Sequence, residues 1–186
     1  MIEAEPVAPQ DDPLGRPPNS VVIHGHFYQP PREDPWSGRV PVQPSAAPYR
    51  DWNERIEREC YGPVTSARLL DAHGDVSRTL NTLEFMSFNF GPTLLSWLEE
   101  HTPETYRAVL EADRVSCERL DGHGNAMAMA YHHTILPLAD ARDRRTEIKW
   151  GIADFRRRYG RAPEGMWLPE TAVDSDTLCA LAAEGI

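Results

Sequence analysis

Cysteine is scarce in this chain: Cys60, Cys117 and Cys179 lie far apart, and no two share a C-x-x-C spacing. An odd, scattered set argues against a zinc knuckle or a disulfide framework and makes reduced thiols in a cytoplasm the expected state. Long apolar runs are missing as well. No stretch approaches the roughly 20 residues of a membrane span. The opening MIEAEPVAPQDDPLGRPPNS lacks the basic and apolar regions of a signal peptide. Acidic and proline-rich, residues 1–20 read as a disordered leader. Basic side chains are outnumbered, 19 Lys and Arg against 29 Asp and Glu, for a formal net charge of −10. That balance argues against nucleic-acid or anionic-membrane partners and says little about neutral ligands.

What is present suffices for a core. Hydrophobic residues make up 40% of the 186 positions, which fits one domain or part of a larger one. Val21 to His26 reads as a buried strand, TLEFMSFNF as a second closed by Gly91-Pro92, AMAMAYHH as a third and GMWL as a brief fourth. Between them DWNERIEREC and PVTSARLLD read as short helices, and Pro92 and Pro103 open two longer ones. Ile148, Ile152, Phe155 and Tyr159 recur at helical spacing until Gly160, with RRR and RDRR on solvated faces. In DSDTLCALAAEGI, Asp174 or Ser175 caps a last helix and Gly185 stops it. Ile186 then stands where a further strand should begin, so the chain reads as the front portion of a longer protein. Trp52, Trp97 and Trp150 are expected in packing. The proline-dense loop from Gln29 to Tyr49 is too long for a plain connector, and its Trp36 is expected to overhang a site.

This alternation implies an α/β fold with a parallel sheet and right-handed crossovers, whose binding groups gather at the C-terminal ends of the strands. His24, His26, Asn89, His132, His133 and Glu170 all fall at such ends. Glu170, held by Pro169 beside Trp167, suits a carboxylate nucleophile with an indole to stack on a sugar face. The plainer alternative is a solvated loop residue that caps the next helix.

Three segments together resemble the motifs of glycoside hydrolase family 57. HGHFYQPP is similar to the first, GNAMAMAYHHTILPL to the second and GMWLPE to the third, in the family's order and rough spacing, over nearly everything after Ser20. The SFNFGPTLLSWLEE segment resembles a less characterised branch. The resemblance implies an incomplete (β/α)7 barrel acting on α-glucans with retention of configuration. Residues 21–186 would then be the N-terminal part of that catalytic domain, with about four parallel strands. It makes Glu170 the nucleophile. His24 and His26 become ligands of sugar hydroxyls, Gln29 lies nearby, and His133 takes the second motif's histidine position. Two departures concern the pocket. Phe27 and Tyr28 separate the histidines from Gln29-Pro30, and Asn125 stands where the second motif carries a glutamate. The family's general acid would lie beyond Ile186, so the chain alone is expected to be inactive. No cofactor is implied.

Two rival readings use the same residues. His24 and His26 point the same way along a strand and could share a metal ion, with His132, His133 or Asp71 completing the set, as in metal-dependent sugar deacetylases of related shape. Against it, no aspartate pair adjoins the first strand. The other rival is a carbohydrate-binding protein that keeps the pocket without the reaction.

Overall fold

The computed structural model describes residues 21–186, so the leader expected over residues 1–20 lies outside the described residues. The chain begins with β1 (His24–Phe27), and α1 (Trp52–Ile56) widens into a π-helical stretch, Glu57–Tyr61, that runs into α2 (Gly62–Thr65). A hairpin of β2 (Ala67–Leu70) and β3 (Val76–Leu80) follows, then β4 (Ser87–Phe90), α3 (Pro92–His101) and α4 (Pro103–Arg119). The remainder is β5 (Ala128–Met129), α5 (Ala141–Tyr159), β6 (Met166–Trp167) and α6 (Ser175–Ala183). None of the described helices is long and apolar enough to cross a membrane.

The fold is α/β with short parallel strands. β1 pairs with β4, and β5 pairs with β6, both in parallel, while a single parallel bridge from Phe88 to Ala126 joins the two pairs. In register, His24 lies opposite Ser87 and His26 opposite Asn89. Because alternate strand residues share a face, His24, His26, Ser87 and Asn89 make one polar face. Phe27, Phe88 and Phe90 take the other, where Phe27 and Phe90 stack at 4.5 Å. That second face joins a core in which Leu83, Phe88, Leu94, Leu98 and Ile148 are fully buried.

Helix ends follow local chemistry. The Asp140 carboxylate accepts from the Arg142 and Asp143 amides to open α5, and Gly160 closes it with φ 70°. Asp174 likewise caps α6 through the Thr177 amide. Helix α5 lies directly on the strand layer at Gly151, where a Cβ would sit 2.0 Å from the Met129 carbonyl oxygen. Only glycine permits that approach. Asp113, 2% exposed, ties three elements together: it accepts from Arg161 Nε and Nη2 at 2.9 and 2.8 Å and from the Ala126 amide at 2.8 Å.

Several expectations are corrected. Val21, Val22 and Ile23 are exposed, since β4 begins only at Ser87, opposite His24, and the strand pairing runs from there onward. PVTSARLLD is helical only as far as Thr65 and then enters the hairpin. The tight turn decides this: Gly74 has φ 86°, and the Asp71 carboxylate accepts from the His73 and Asp75 amides. Strand β5 covers two residues of the longer run expected. The Ile186 amide donates to Leu181 O and finishes the cap of α6. Arg158 and Arg144 are buried, not solvated. Arg158 is held by Asp154, Glu99, Ser96 and Tyr106 in a pocket between helices. Trp97 is buried as expected, but Trp150 is half exposed on the outer side of α5.

Candidate active site

At the C-terminal ends of the parallel strands, the polar face of β1 and β4 meets residues that follow β5 and β6. Trp167 stacks on both strand histidines, with ring centroids 4.8 Å from His24 and 5.0 Å from His26. On a flat sheet, strands three positions apart would be separated by about 14 Å. The layer therefore curves until side chains of β1 and β6 touch. Tyr28 continues the stack onto His133 at 4.0 Å.

Hydrogen bonds run through the cluster. His24 Nδ1 meets Ser87 Oγ at 2.8 Å, and His24 Nε2 meets Asn89 Oδ1 at 3.0 Å. Asn89 Nδ2 lies 2.9 Å from His26 Nδ1 and also donates to Met129 Sδ at 3.1 Å. His26 Nε2 is 3.2 Å from His133 Nε2. His133 Nδ1 in turn faces the Glu170 carboxylate at 4.0 Å. Both members of that last pair have left-handed backbones, φ 60° at His133 and φ 56° at Glu170, and Thr171 follows with φ 53°. Such conformations cost about 1–3 kcal/mol each and persist where surrounding structure imposes them, most often at functional sites. The Glu170 side chain is 65% exposed, so it stands open to a ligand.

Burial of the ring faces is the chief reason the His26 imidazole titrates below the ordinary histidine value, although one edge is open to solvent; Asn89 opposes the shift, and His133 and His24 add to it. Folding therefore favours neutral His26. The unfolded chain takes up its proton near pH 6.5, so this contribution is present above that pH and is lost as pH falls toward the lowered folded value. Glu164 raises the pKa of His123, which works in the opposite direction. The check is thus a difference: the denaturation midpoint should drop more between about pH 7.5 and pH 5.5 in the native protein than in a His26→Gln variant. Equal slopes would remove the effect.

Of the residues expected from the sequence, His24, His26, His133, Trp167 and Glu170 come together. Gln29 is held one step away, donating to Tyr61 and accepting from Arg32. Asn125 is not in the cluster. It precedes β5 at the opposite end of the strands, where its amide donates to the Leu83 and Glu84 carbonyls. His132 turns outward to Glu147, at 2.8 Å. Trp36 is 92% exposed and joins no cluster, and its loop borders a separate cleft of about 600 Å³ near Arg50, Glu57 and Trp97. Trp167 stacks on the two strand imidazoles. Ser87 and Tyr28 also belong to the cluster, and Asn89, expected at a strand end, sits between its two strand histidines. The alternation in SFNF, matching that in HGHF, is the signal that places Ser87 and Asn89 beside the histidines.

Imidazoles and an amide suit the recognition of polar groups, and an open carboxylate facing a ring nitrogen suits nucleophilic attack. Metal binding fits less well. Among the described residues no group of three or more His, Cys, Asp or Glu side chains is gathered as an ion would need. Asp71, considered for that role, caps the hairpin turn.

Residues 26–186 match the family model for glycosyl hydrolase family 57. Alpha-amylase 1 of Dictyoglomus thermophilum is 28% identical over 102 residues, a match that spans 54% of this chain and 14% of that enzyme. Among solved structures, an exo-type maltose-forming amylase from Pyrococcus sp. ST04 superposes with a TM-score of 0.56 at 16% identity, over 87% of this chain and 27% of that one. A 4-alpha-glucanotransferase from Thermococcus litoralis gives 0.55 at 20% identity, over 89% and 22%. At these identities the two superpositions show the fold alone.

Proposed function

Because the chain belongs to glycosyl hydrolase family 57, we propose that it forms the nucleophile-bearing front of a site that cleaves or transfers α-glucan chains with retention of configuration. The observation that carries this reading is the pairing of Glu170 with His133 on two left-handed backbones, open to solvent at the strand ends. Glu170 attacks the anomeric carbon while the glycosidic C–O bond breaks, and the departing oxygen takes a proton from a second carboxylic acid. Water, or a hydroxyl of another sugar, then displaces the ester and gives its proton to that second group. Retention asks for the two carboxyl groups about 5–5.5 Å apart. In this reading the acid belongs to a later strand beyond Ile186, and residues 21–186 are the first strands of an incomplete (β/α)7 barrel. The contact between β1 and β6 side chains supports the curvature such a barrel needs. The names of the relatives, an amylase among them, support an α-glucan substrate. His133 and the open edge of His26 would line the pocket a sugar enters, with His24 and Trp167 behind them and Gln29 at the margin.

The test is covalent. A ring-fluorinated glucosyl fluoride, incubated with the whole protein and quenched, should add one sugar mass to the peptide that carries Glu170. A label on another carboxylate would reject the assignment.

A further inference from the structure

We propose that Asn89 is a positioning residue: its amide fixes the tautomers of His24 and His26 and so directs a one-way hydrogen-bond chain from Ser87 to His133, the residue that faces Glu170. The proposal rests on the reading of Glu170 as the nucleophile. Asn89 is fully buried on β4, opposite His26, and is the only group that touches both strand histidines among the described hydrogen bonds.

The direction follows from donor and acceptor chemistry. An amide presents an oxygen that only accepts and a nitrogen that only donates. The oxygen, 3.0 Å from His24 Nε2, requires a proton there. A neutral His24 then has a bare Nδ1, which accepts from the Ser87 hydroxyl at 2.8 Å. The amide nitrogen, 2.9 Å from His26 Nδ1, requires that this atom be bare. The reverse choice, His26 Nδ1–H donating to the amide oxygen at 3.2 Å, would press its hydrogen against those of the amide nitrogen. The proton of His26 therefore sits on Nε2 and points at His133 Nε2, 3.2 Å away. A bare Nε2 leaves His133 protonated at Nδ1, the atom that faces the Glu170 carboxylate. Each link removes a choice from the next. The result is an N–H that faces the nucleophile's carboxylate across 4.0 Å and favours one orientation of it.

Aspartate at position 89 would invert the pattern, since it can only accept. His26 would carry its proton on Nδ1, His133 would donate to His26 through Nε2, and a bare Nδ1 would oppose the Glu170 carboxylate. The titratable groups around this chain are His24 and Tyr28 from β1 and the loop after it, His133 after β5 and Glu170 after β6. Protonation of His133 would restore its Nδ1–H.

The experiment reads tautomers and pH profiles in the whole protein. Nitrogen-15 histidine spectra of the unsubstituted protein should show neutral Nε2–H forms for His24 and His26 and an Nδ1–H form for His133. Asn89→Asp should lower kcat roughly 10- to 100-fold at neutral pH with little change in KM, and shift the optimum to more acidic pH. An Nδ1–H form of His26 in the unsubstituted spectra overturns the proposal even if the variant fails to fold. So does a variant whose activity falls with an unmoved pH profile. Full activity in Glu170→Gln would instead defeat the functional reading, while the spectra would still report on the chain.

Discussion

Glu170→Gln in the whole protein is expected to lower turnover by on the order of a thousandfold or more, with folding and sugar affinity retained. The exchange is nearly isosteric and removes only the charge and the nucleophilic oxygen. The side chain is largely exposed and, among the described residues, makes its one polar approach, 4.0 Å, to His133. Glutamine can keep that spacing, because its side chain has the same length and shape. Surface changes of this kind move stability by about 0.5 kcal/mol or less. The thermal midpoint and the binding of a maltooligosaccharide should therefore match the native protein while kcat collapses. If kcat stays within a few-fold of native, Glu170 does no chemistry and the site must be sought elsewhere.

Asp113→Ala should cost about 4 kcal/mol of folding stability, because it strands a guanidinium inside the protein. The Arg161 side chain is 17% exposed and that of Asp113 3%, so water replaces little of what the carboxylate supplies. The same carboxylate also accepts from the Ala126 amide, at the point where β5 begins. Loss of the acid thus loosens α4, the turn after α5 and the entry to a strand that carries the site. Denaturant unfolding gives the number directly. Adding Arg161→Leu to the variant removes the stranded charge and should recover part of the loss. A double variant no more stable than the single one would show that the cost lies in packing and not in the unpaired charge.

The burial of Arg144 and Arg158 is not legible in one dimension. RRR and RDRR look like solvated runs, yet Arg158 lies between α3, α4 and α5 and reaches Glu99 and Tyr106, partners 59 and 52 residues away. The period of a helix tells which residues share a face, but not whether a neighbouring helix covers that face. The hairpin β2–β3 was hidden for a related reason. The good helix formers in SARLLD were overruled by a turn in which Gly74 and Asp71 cooperate.

By itself the sequence determined the order of the parallel strands and of the longer helices after residue 21, the ends at Asp174 and Gly160, and the grouping of histidines and Glu170 at strand ends. These are local matters, decided by side-chain alternation, helical period and the hydrogen bonds open to a few adjacent residues. Only the tertiary structure decided which of those groups meet. His26 and His133 are 107 residues apart, and Asn89 joins His26 across 63. Their contact depends on strand register and on the curvature that brings Trp167 to His24. It also depends on backbone conformations at His133 and Glu170 that neither residue would adopt unaided, because packing from distant elements supplies the energy that local preference withholds.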